Sequence, residues 1–125
     1  MLSGMTDDAA PATRFVSVPD LAALDDLLSR AGLVVLFLHA PHCSISVRAY
    51  REVTRLGGEV ALVDVARDHD VKWAIAERTG VRHESPQVIV LHGGRVIWSA
   101  SQGAITATAV ELARAAAGSV PSPPR

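Results

Sequence analysis

The chain has 125 residues, 49% of them hydrophobic, which is enough for one domain with an apolar core and too few for two ordinary domains. A net charge of -1 at pH 7 gives no electrostatic basis for binding nucleic acid. The single cysteine excludes an internal disulfide and is typical of a protein in a reducing compartment.

The two ends of the chain differ in composition from the rest. Residues 1–12 are small, polar and contain proline, which predicts a disordered N-terminal tail, and residues 119–125 predict a flexible C-terminal tail. Residues 13–118 form the predicted domain. The N-terminus lacks the pattern of a secretory signal, and no apolar run approaches the roughly 18 residues that span a bilayer. We therefore expect a cytoplasmic protein with no membrane and no nucleic-acid partner.

Hydrophobic periodicity predicts nine elements between these tails. In chain order they are a strand at 14–18, a helix that starts near residue 21 and is ended by Ala31-Gly32, a strand at 33–38, a helix at 45–56, a strand at 59–65, a helix at 71–79, strands at 87–91 and 96–100, and a helix at 105–117. Asp20 or Ser17 can cap the first helix. The run at 33–38 is apolar throughout, which is typical of a strand buried on both faces.

The order of these elements, β-α-β-α-β-α-β-β-α, predicts an α/β fold. The strands on either side of the second helix form a βαβ unit, so we expect them to be parallel. Gly93-Gly94 is a two-residue hairpin signal, so the last two strands should be antiparallel. A central mixed five-stranded sheet flanked by helices on both faces is the thioredoxin-like fold.

Cys43 is predicted to lie where the buried strand passes, through His39-Ala40-Pro41-His42, into the first turn of the second helix. The first N–H groups of a helix have no partner within it and carry a partial positive charge, which stabilises a thiolate. We therefore expect Cys43 to be a nucleophile at neutral pH. The four residues that begin with Cys43 and end with Ser46 look like a Cys-x-x-Cys redox turn whose second cysteine is a serine.

Other residues near this turn could assist the cysteine. Ser44 and Ser46 add hydroxyls within the same turn. His42 could favour the thiolate when protonated or shuttle a proton, although a plain surface histidine fits the sequence equally well. Arg48, about one turn further on, could hold an anionic substrate, or it could belong to a solvated helix face with i,i+3 and i,i+4 ion pairs.

Pro86 opens a strand that otherwise has the pattern of a central strand, although proline donates no hydrogen bond to a ladder. A cis bond between Ser85 and Pro86 would resolve this and would bring the backbone before the proline close to Cys43. A trans proline at the first residue of the strand is the alternative. His83, in the same loop, could act on protons as His42 could.

Three segments resemble the monothiol bacilliredoxins, the YtxJ-type proteins of the bacillithiol system. They are HAPHCSIS at 39–46, VRHESPQVIV at 81–90, and GGRVIWSAS at 93–101 followed by Ile105-Thr106. The second segment is the most specific, and the resemblance extends over roughly residues 14–117. The sequence departs from the family's usual pattern at Ser44, where the family has proline.

The resemblance implies a thiol–disulfide oxidoreductase with bacillithiol as cosubstrate and no metal. Cys43 falls on the family's nucleophile, and it would remove bacillithiol from S-bacillithiolated client proteins. By its own chemistry Ser46 cannot resolve a disulfide and could only donate a hydrogen bond to the thiolate. The residues expected to contact the substrate are Ser44, Arg48, His83, Ser85 and Pro86. Because the chain has no second cysteine, a free low-molecular-weight thiol or a disulfide reductase would have to release Cys43 afterwards.

Two other functions are consistent with the residues. His39, His42 and Cys43 are soft and borderline ligands in one short loop, so the chain could bind a metal, or an iron–sulfur cluster shared between two subunits. A non-catalytic interaction domain with the same fold is the other alternative, since a fold does not by itself imply an activity.

Overall fold

The computed structural model describes residues 12–118. Residues 1–11 and 119–125, where the two tails are predicted, lie outside the described residues. The strands are β1 (Arg14–Ser17), β2 (Leu33–His39), β3 (Glu59–Asp64), β4 (Gln87–His92) and β5 (Arg95–Ser101). The α-helices are α1 (Leu21–Leu28), α2 (Ser44–Val53), α3 (His69–Thr79) and α4 (Ala107–Gly118), and a 3₁₀ turn spans Gln102–Ala104. None of these helices is both long enough and apolar enough to cross a membrane, within residues 12–118.

The five strands form one mixed sheet in the order β1-β3-β2-β4-β5. β1, β3 and β2 run parallel, whereas β4 is antiparallel to both β2 and β5. Apolar clusters cover both faces of the sheet, with α1 and α3 on one side and α2 and α4 on the other. The predicted thioredoxin-like fold, with its five-stranded mixed sheet and two helical layers, is confirmed.

Local sequence signals explain where α1 begins and how the β4–β5 hairpin turns. Asp20 caps α1, because its carboxylate accepts the Ala23 N–H at 2.9 Å. Gly93 and Gly94 have φ values of 60° and 79°, the left-handed conformation that a two-residue hairpin turn requires. A bulge after Val90 shifts the register of the same hairpin.

α1 ends at Leu28, before the predicted end at Ala31-Gly32, and α2 spans Ser44–Val53 rather than 45–56. The starts of α3 and α4 also differ from the prediction. α3 begins at His69 rather than at residue 71, because Asp68 is its N-cap residue. The backbone carbonyl of Asp68 accepts the Lys72 N–H at 3.0 Å. α4 begins at Ala107 rather than at residue 105, because the 3₁₀ turn precedes it and the Thr106 hydroxyl accepts the Ala109 N–H. Both differences are of two residues, and neither moves a helix to another face of the sheet.

Candidate active site

Cys43 is the N-cap residue of α2 and lies at the end of a tight turn that follows β2. Its N–H donates to the carbonyl of Ala40 at 3.0 Å, and its own carbonyl accepts the N–H of Val47 at 3.0 Å. Its backbone is extended, with φ -104° and ψ 127°. The thiol is free and partly exposed. The predicted position of the cysteine, between a buried strand and a helix, is therefore the position that the structure gives it.

The N-terminus of α2 carries no negative charge of its own. Its first turn contains no acidic residue, and the Cys43 side chain makes no capping hydrogen bond. The partial positive charge of the helix start is therefore not offset by a carboxylate. This environment suits a sulfur that must carry negative charge.

Ser46 does not hydrogen-bond to Cys43, contrary to the role predicted for it. Its side chain is fully buried, with a relative exposure of 0%. Its Oγ lies 2.7 Å from Nδ1 of His39 and accepts the Ala40 N–H at 2.9 Å. Since the hydroxyl faces the end of β2, Ser46 ties the first turn of α2 to the sheet.

His39 is partly buried against aromatic side chains and is not part of a metal cluster among the described residues. Its ring stacks on Phe37 and is tilted against Tyr50, with centroids 5.2 and 5.1 Å away. Burial lowers the pKa of His39 from its usual 6.5, and the charge of Asp64 opposes this in part. Within residues 12–118 no three His, Cys, Asp or Glu side chains converge on a point where a metal ion could bind, so the predicted grouping with His42 and Cys43 does not form there.

The loop before β4 approaches the cysteine turn from the neighbouring strand. The Ser85–Pro86 bond is cis, which decides between the two alternatives that the sequence left open. The last pair of the β2–β4 ladder is Leu38 with Gln87. Because Leu38 lies near the end of β2 and Gln87 is the first residue of β4, the loop before β4 lies at the same edge of the sheet as the cysteine turn.

His83 packs beneath this loop. Its Nε2 lies 3.1 Å from Oγ of Ser85, and its Nδ1 is buried without a hydrogen-bond partner. The ring of Trp73, on α3, meets the imidazole edge-on at 5.6 Å. Burial lowers the pKa of His83, and the positive charge of Lys72 lowers it further, whereas Glu84 opposes the shift.

A groove of about 230 Å³ lies beside the start of α2, on the side of the 3₁₀ turn. It contains two of the predicted substrate-binding residues, and its full lining is Ser44, Ile45, Arg48, Ala49, Gln102, Gly103 and Ile105. Arg48 is exposed there, with no ion pair among the described residues. His42 is exposed as well and does not line the groove. The site therefore has two sides, the groove on one and the Ser85–Pro86 loop on the other.

A known protein family matches most of the described part of the chain. A family model for the monothiol bacilliredoxins, BrxC, matches residues 18–110, a stretch that contains Cys43 and Pro86. The chain belongs to the monothiol bacilliredoxin family. Membership of this family and the thioredoxin fold assign the protein a thiol redox function.

Solved structures of other proteins show the same fold as this bacilliredoxin. A candidate oxidoreductase with a thioredoxin fold aligns with a TM-score of 0.73 and 23% identity, over 79% of this chain and 92% of that chain. A thioredoxin variant from Halobacterium salinarum aligns with a TM-score of 0.63 and 21% identity, over 86% of this chain and 95% of that one. The thioredoxin of Malassezia sympodialis aligns with a TM-score of 0.63 and 14% identity, over 88% and 96%.

Two residues of this bacilliredoxin's site were not predicted from the sequence. Gln102 lines the groove with a φ of 52°, which is uncommon for a residue other than glycine, and its N–H donates to the Pro86 carbonyl at 3.0 Å. Trp73 was placed on a helix but not against the loop of His83. No local pattern reveals either contact, because each depends on how two separate segments pack against one another.

Proposed function

We propose that this protein removes bacillithiol from protein mixed disulfides, with the Cys43 thiolate as the attacking group. The observation that carries the proposal is the position of the lone thiol. Cys43 is partly exposed at the uncapped start of α2, next to the Ser85–Pro86 loop, in a chain of the monothiol bacilliredoxin family.

The first step is thiol–disulfide exchange. The Cys43 thiolate attacks the bacillithiol sulfur of a client mixed disulfide, so a bond forms between these two sulfurs while the bond to the client sulfur breaks. The client leaves as a thiolate and takes a proton from solvent. The N–H groups at the start of α2 stabilise negative charge on the Cys43 sulfur before attack.

The second step needs a thiol from outside. The chain contains one cysteine, and Ser46, at the position of a second redox cysteine, cannot form a disulfide. A free thiolate, from a low-molecular-weight thiol or from a disulfide reductase, attacks the bacillithiol sulfur on Cys43. This forms a new disulfide and releases Cys43 as a thiolate, so the protein returns to its starting state.

The groove beside α2 is the proposed binding site for the bacillithiol moiety. Bacillithiol carries carboxylates, as glutathione does. The guanidinium of Arg48 supplies a positive charge at this groove, and the exposed hydroxyl of Ser44 supplies a hydrogen-bonding group next to the sulfur. We propose that these two groups hold the bound thiol while its sulfur is exchanged.

We further propose that the reaction takes place in the cytoplasm, where thiols are kept reduced. The proposed partners are S-bacillithiolated client proteins and the thiol or reductase that completes the cycle. No metal takes part in either step of this scheme.

The test is intact mass spectrometry of the reduced protein after mixing with a bacillithiolated client protein, beside the same client carrying glutathione. We expect the bacillithiol adduct to move from the client to Cys43 and to disappear when free bacillithiol is added. Cys43→Ser, a small change at an N-cap position, should keep the fold and accept no adduct.

Three outcomes would contradict parts of the proposal. Equal transfer of glutathione would remove bacillithiol as the particular cosubstrate and leave the exchange chemistry in place. Transfer by Cys43→Ser, or no transfer by the native protein from either client, would overturn the assignment of Cys43 as the nucleophile.

A further inference from the structure

We propose that the groove between α1 and α3 docks a client protein, by binding an extended segment of the client in which arginine or lysine alternates with apolar side chains. This α1–α3 groove has a volume of about 460 Å³ and is lined by Leu21, Asp70, Trp73, Ala74, Glu77 and Arg78. The choice of a client as the partner rests on the proposed exchange at Cys43, whereas the binding of a basic segment does not. The inference is carried by an exposed tryptophan in the groove, by unpaired carboxylates beside it, and by the edge of the sheet at which the groove begins.

The groove exposes apolar surface to solvent. Trp73, on α3, has a relative exposure of 59%, and Leu21, on α1, has one of 40%. The indole ring already has neighbours that orient it, since His83 meets it edge-on at 5.6 Å and Nζ of Lys72 lies 4.6 Å from its centroid. An oriented aromatic side chain loses little conformational freedom on binding, and such side chains are the usual anchors of protein interfaces. A partner that covers Trp73 and Leu21 therefore gains the free energy of removing both from water.

The charges that line the groove are mainly negative. Asp70 and Glu77, both on α3, have no ion pair among residues 12–118. Arg78 lines the groove as well, but its guanidinium is paired with Asp25. The ammonium of Lys72 opposes the negative charge from its place over the indole ring. Two carboxylates therefore remain for cations of a partner, and a segment that carries acidic residues is repelled.

A second cleft continues the groove towards the starts of α1 and α3. It has a volume of about 710 Å³, and it shares Leu21 and Asp70 with the groove. Its lining includes the N-cap residues of both helices, Asp20 and Asp68. Arg67 lies in this cleft too, but it is paired with Asp68. The surface that faces a partner thus stays negative from the starts of the two helices to the far end of the groove.

The length of the groove sets the size of the segment that fits it. Between Asp70 and Arg78, α3 rises by about 12 Å. An extended chain advances about 3.3 Å per residue, so about four residues lie along this length. Side chains of an extended segment point alternately to its two sides. Apolar side chains can then contact Trp73 and Leu21, while the long side chains between them reach the carboxylates with their charged ends.

The groove begins at the edge of the sheet where Cys43 lies. β1, β3 and β2 are parallel, and each is followed at its carboxyl end by a helix, which is α1, α3 and α2 respectively. The starts of α1 and α3 therefore lie at the same edge as the turn of Cys43. The Val65 N–H donates to the His39 carbonyl at 3.0 Å, which joins the chain after β3 to the end of β2. A client whose mixed disulfide is at Cys43 can extend from this edge into the groove.

Two other occupants fit the groove less well. The N-terminal tail, residues 1–12, contains Asp7 and Asp8 and no lysine or arginine, so its charge has the wrong sign. A second copy of the chain would have to present the arginines of α2, and would then cover the helix that starts at Cys43. A basic segment of a client is therefore the occupant that we propose.

Binding can be measured without any disulfide. In Trp98→Phe, Trp73 is the only tryptophan of the chain and reports on the groove by its fluorescence. The peptide acetyl-Arg-Leu-Arg-Leu-Arg-amide should shift its emission to shorter wavelength in a saturable titration, because the ring leaves water. Peptides with Glu in place of Arg, or Ser in place of Leu, are the controls and should shift it much less. No shift with the basic peptide, or equal shifts with the acidic one, would overturn the proposal.

Paired charge variants test whether the groove itself binds the peptide. Asp70→Asn with Glu77→Gln should raise the Kd of the basic peptide roughly three- to tenfold, the value of about two exposed ion pairs. Asp26→Asn with Glu111→Gln removes the same charge from exposed residues outside the groove and should raise it less than about twofold. The difference should shrink at high ionic strength. Equal losses in the two variants would mean that the net charge of the protein, and not the groove, attracts the peptide.

The role in client selection can be tested with peptides that carry one cysteine in a mixed disulfide with 2-mercaptoethanol. A Gly-Ser linker of two to eight residues joins this cysteine to the basic segment or to its Ser-Leu counterpart. The Cys43 thiolate attacks the 2-mercaptoethanol sulfur, forms a disulfide with it and releases the peptide sulfur as a thiolate, which solvent protonates. At the best linker length, kcat/KM should be roughly three- to tenfold higher for the basic peptide.

The same charge variants assign that preference to the groove. It should disappear in Asp70→Asn with Glu77→Gln and persist in Asp26→Asn with Glu111→Gln. Sedimentation velocity tests the remaining occupant, and we expect a monomer at every concentration. A dimer that is lost in Asp70→Asn with Glu77→Gln would assign the groove to a second copy and overturn the proposal.

These experiments keep the two proposals apart. If Cys43 reacts equally with the basic and the neutral peptide at every linker length, docking of clients in the groove is wrong and the proposed function stands. If no peptide reacts at Cys43 although the basic peptide binds at Trp73, the proposed function fails, and with it the assignment of a client as the partner.

Discussion

Oγ of Ser46 lies 2.7 Å from Nδ1 of His39 and accepts the backbone N–H of Ala40 at 2.9 Å. One buried hydroxyl thus joins the first turn of α2 to the end of β2. Cys43 lies in the chain between these two points, so the contact fixes where the sulfur sits relative to the sheet. The serine that replaces a second redox cysteine is a structural anchor in this protein.

Ser46→Ala should therefore destabilise the protein more than it impairs the chemistry. The substitution leaves the Ala40 N–H and His39 Nδ1 without their partner in a partly buried place, which should cost about 1 kcal/mol or more of unfolding free energy. Urea denaturation would measure the loss, and Ser44→Ala, at an exposed serine of the same turn, is the matched control. Equal midpoints for the two variants would show that the anchor contributes nothing to stability.

The sequence predicted where Ser46 lies but not which atoms it contacts. Helical periodicity and the apolar run before it are properties of neighbouring residues, so they place the residue in the first turn of α2. The partner of its hydroxyl depends instead on how α2 docks against β2. For the same reason the sequence could suggest the cis Ser85–Pro86 bond from a local conflict, but not the contact of Gln102 with Pro86.

Protein stability should fall as the pH drops from 7 towards 5.5. Burial lowers the pKa values of both His39 and His83 from their usual 6.5. As the pH falls through 6.5, these two histidines therefore take up protons in the unfolded chain before they do so in the folded chain. Protonation of the unfolded state then favours unfolding. Above pH 7 both rings are neutral in both states, and these two groups add no pH dependence.

The variant with His39→Asn and His83→Gln tests this linkage, because each new amide keeps a polar atom near the nitrogen that makes the hydrogen bond. Unfolding free energies from urea titrations should depend less on pH between 7 and 5.5 than in the native protein. Between pH 7 and 8 the two curves should run parallel. Curves that are parallel over the whole range would refute the attribution to these histidines.

Gly94→Ala should destabilise the hairpin that joins β4 and β5. Gly94 has a φ of 79°, and a Cβ built on it would lie 2.7 Å from the backbone oxygen of Leu28, at the end of α1. The left-handed conformation alone costs roughly 1–2 kcal/mol for a residue with a Cβ, and the close contact adds to it. Thermal unfolding would measure the effect.

Gly32→Ala is the control for that substitution. A Cβ at Gly32 would meet nothing within 4 Å, and its φ is not in the left-handed region. Its unfolding free energy should therefore stay within about 0.5 kcal/mol of the native value. If both alanine variants unfold at the same temperature, the approach of the hairpin to α1 does not constrain residue 94.

Arg48→Ala should weaken binding of thiols that carry carboxylates. Arg48 is exposed at the groove beside Cys43, so solvent partly screens its charge. We therefore expect a modest effect, in which KM for a bacillithiolated client rises roughly two- to fivefold and kcat changes little. The difference should shrink as ionic strength is raised. Steady-state kinetics at low and high salt would measure both effects.

Arg51→Ala is the matched control, because Arg51 is an exposed arginine on the same helix that does not line the groove. The same client modified with 2-mercaptoethanol, which has no carboxylate, is the control for the substrate. Arg48→Ala should process that client at the native rate, since no anion is there to be bound. A similar rise in KM for Arg51→Ala, or for the neutral mixed disulfide, would mean that the guanidinium of Arg48 does not recognise the carboxylates of the thiol.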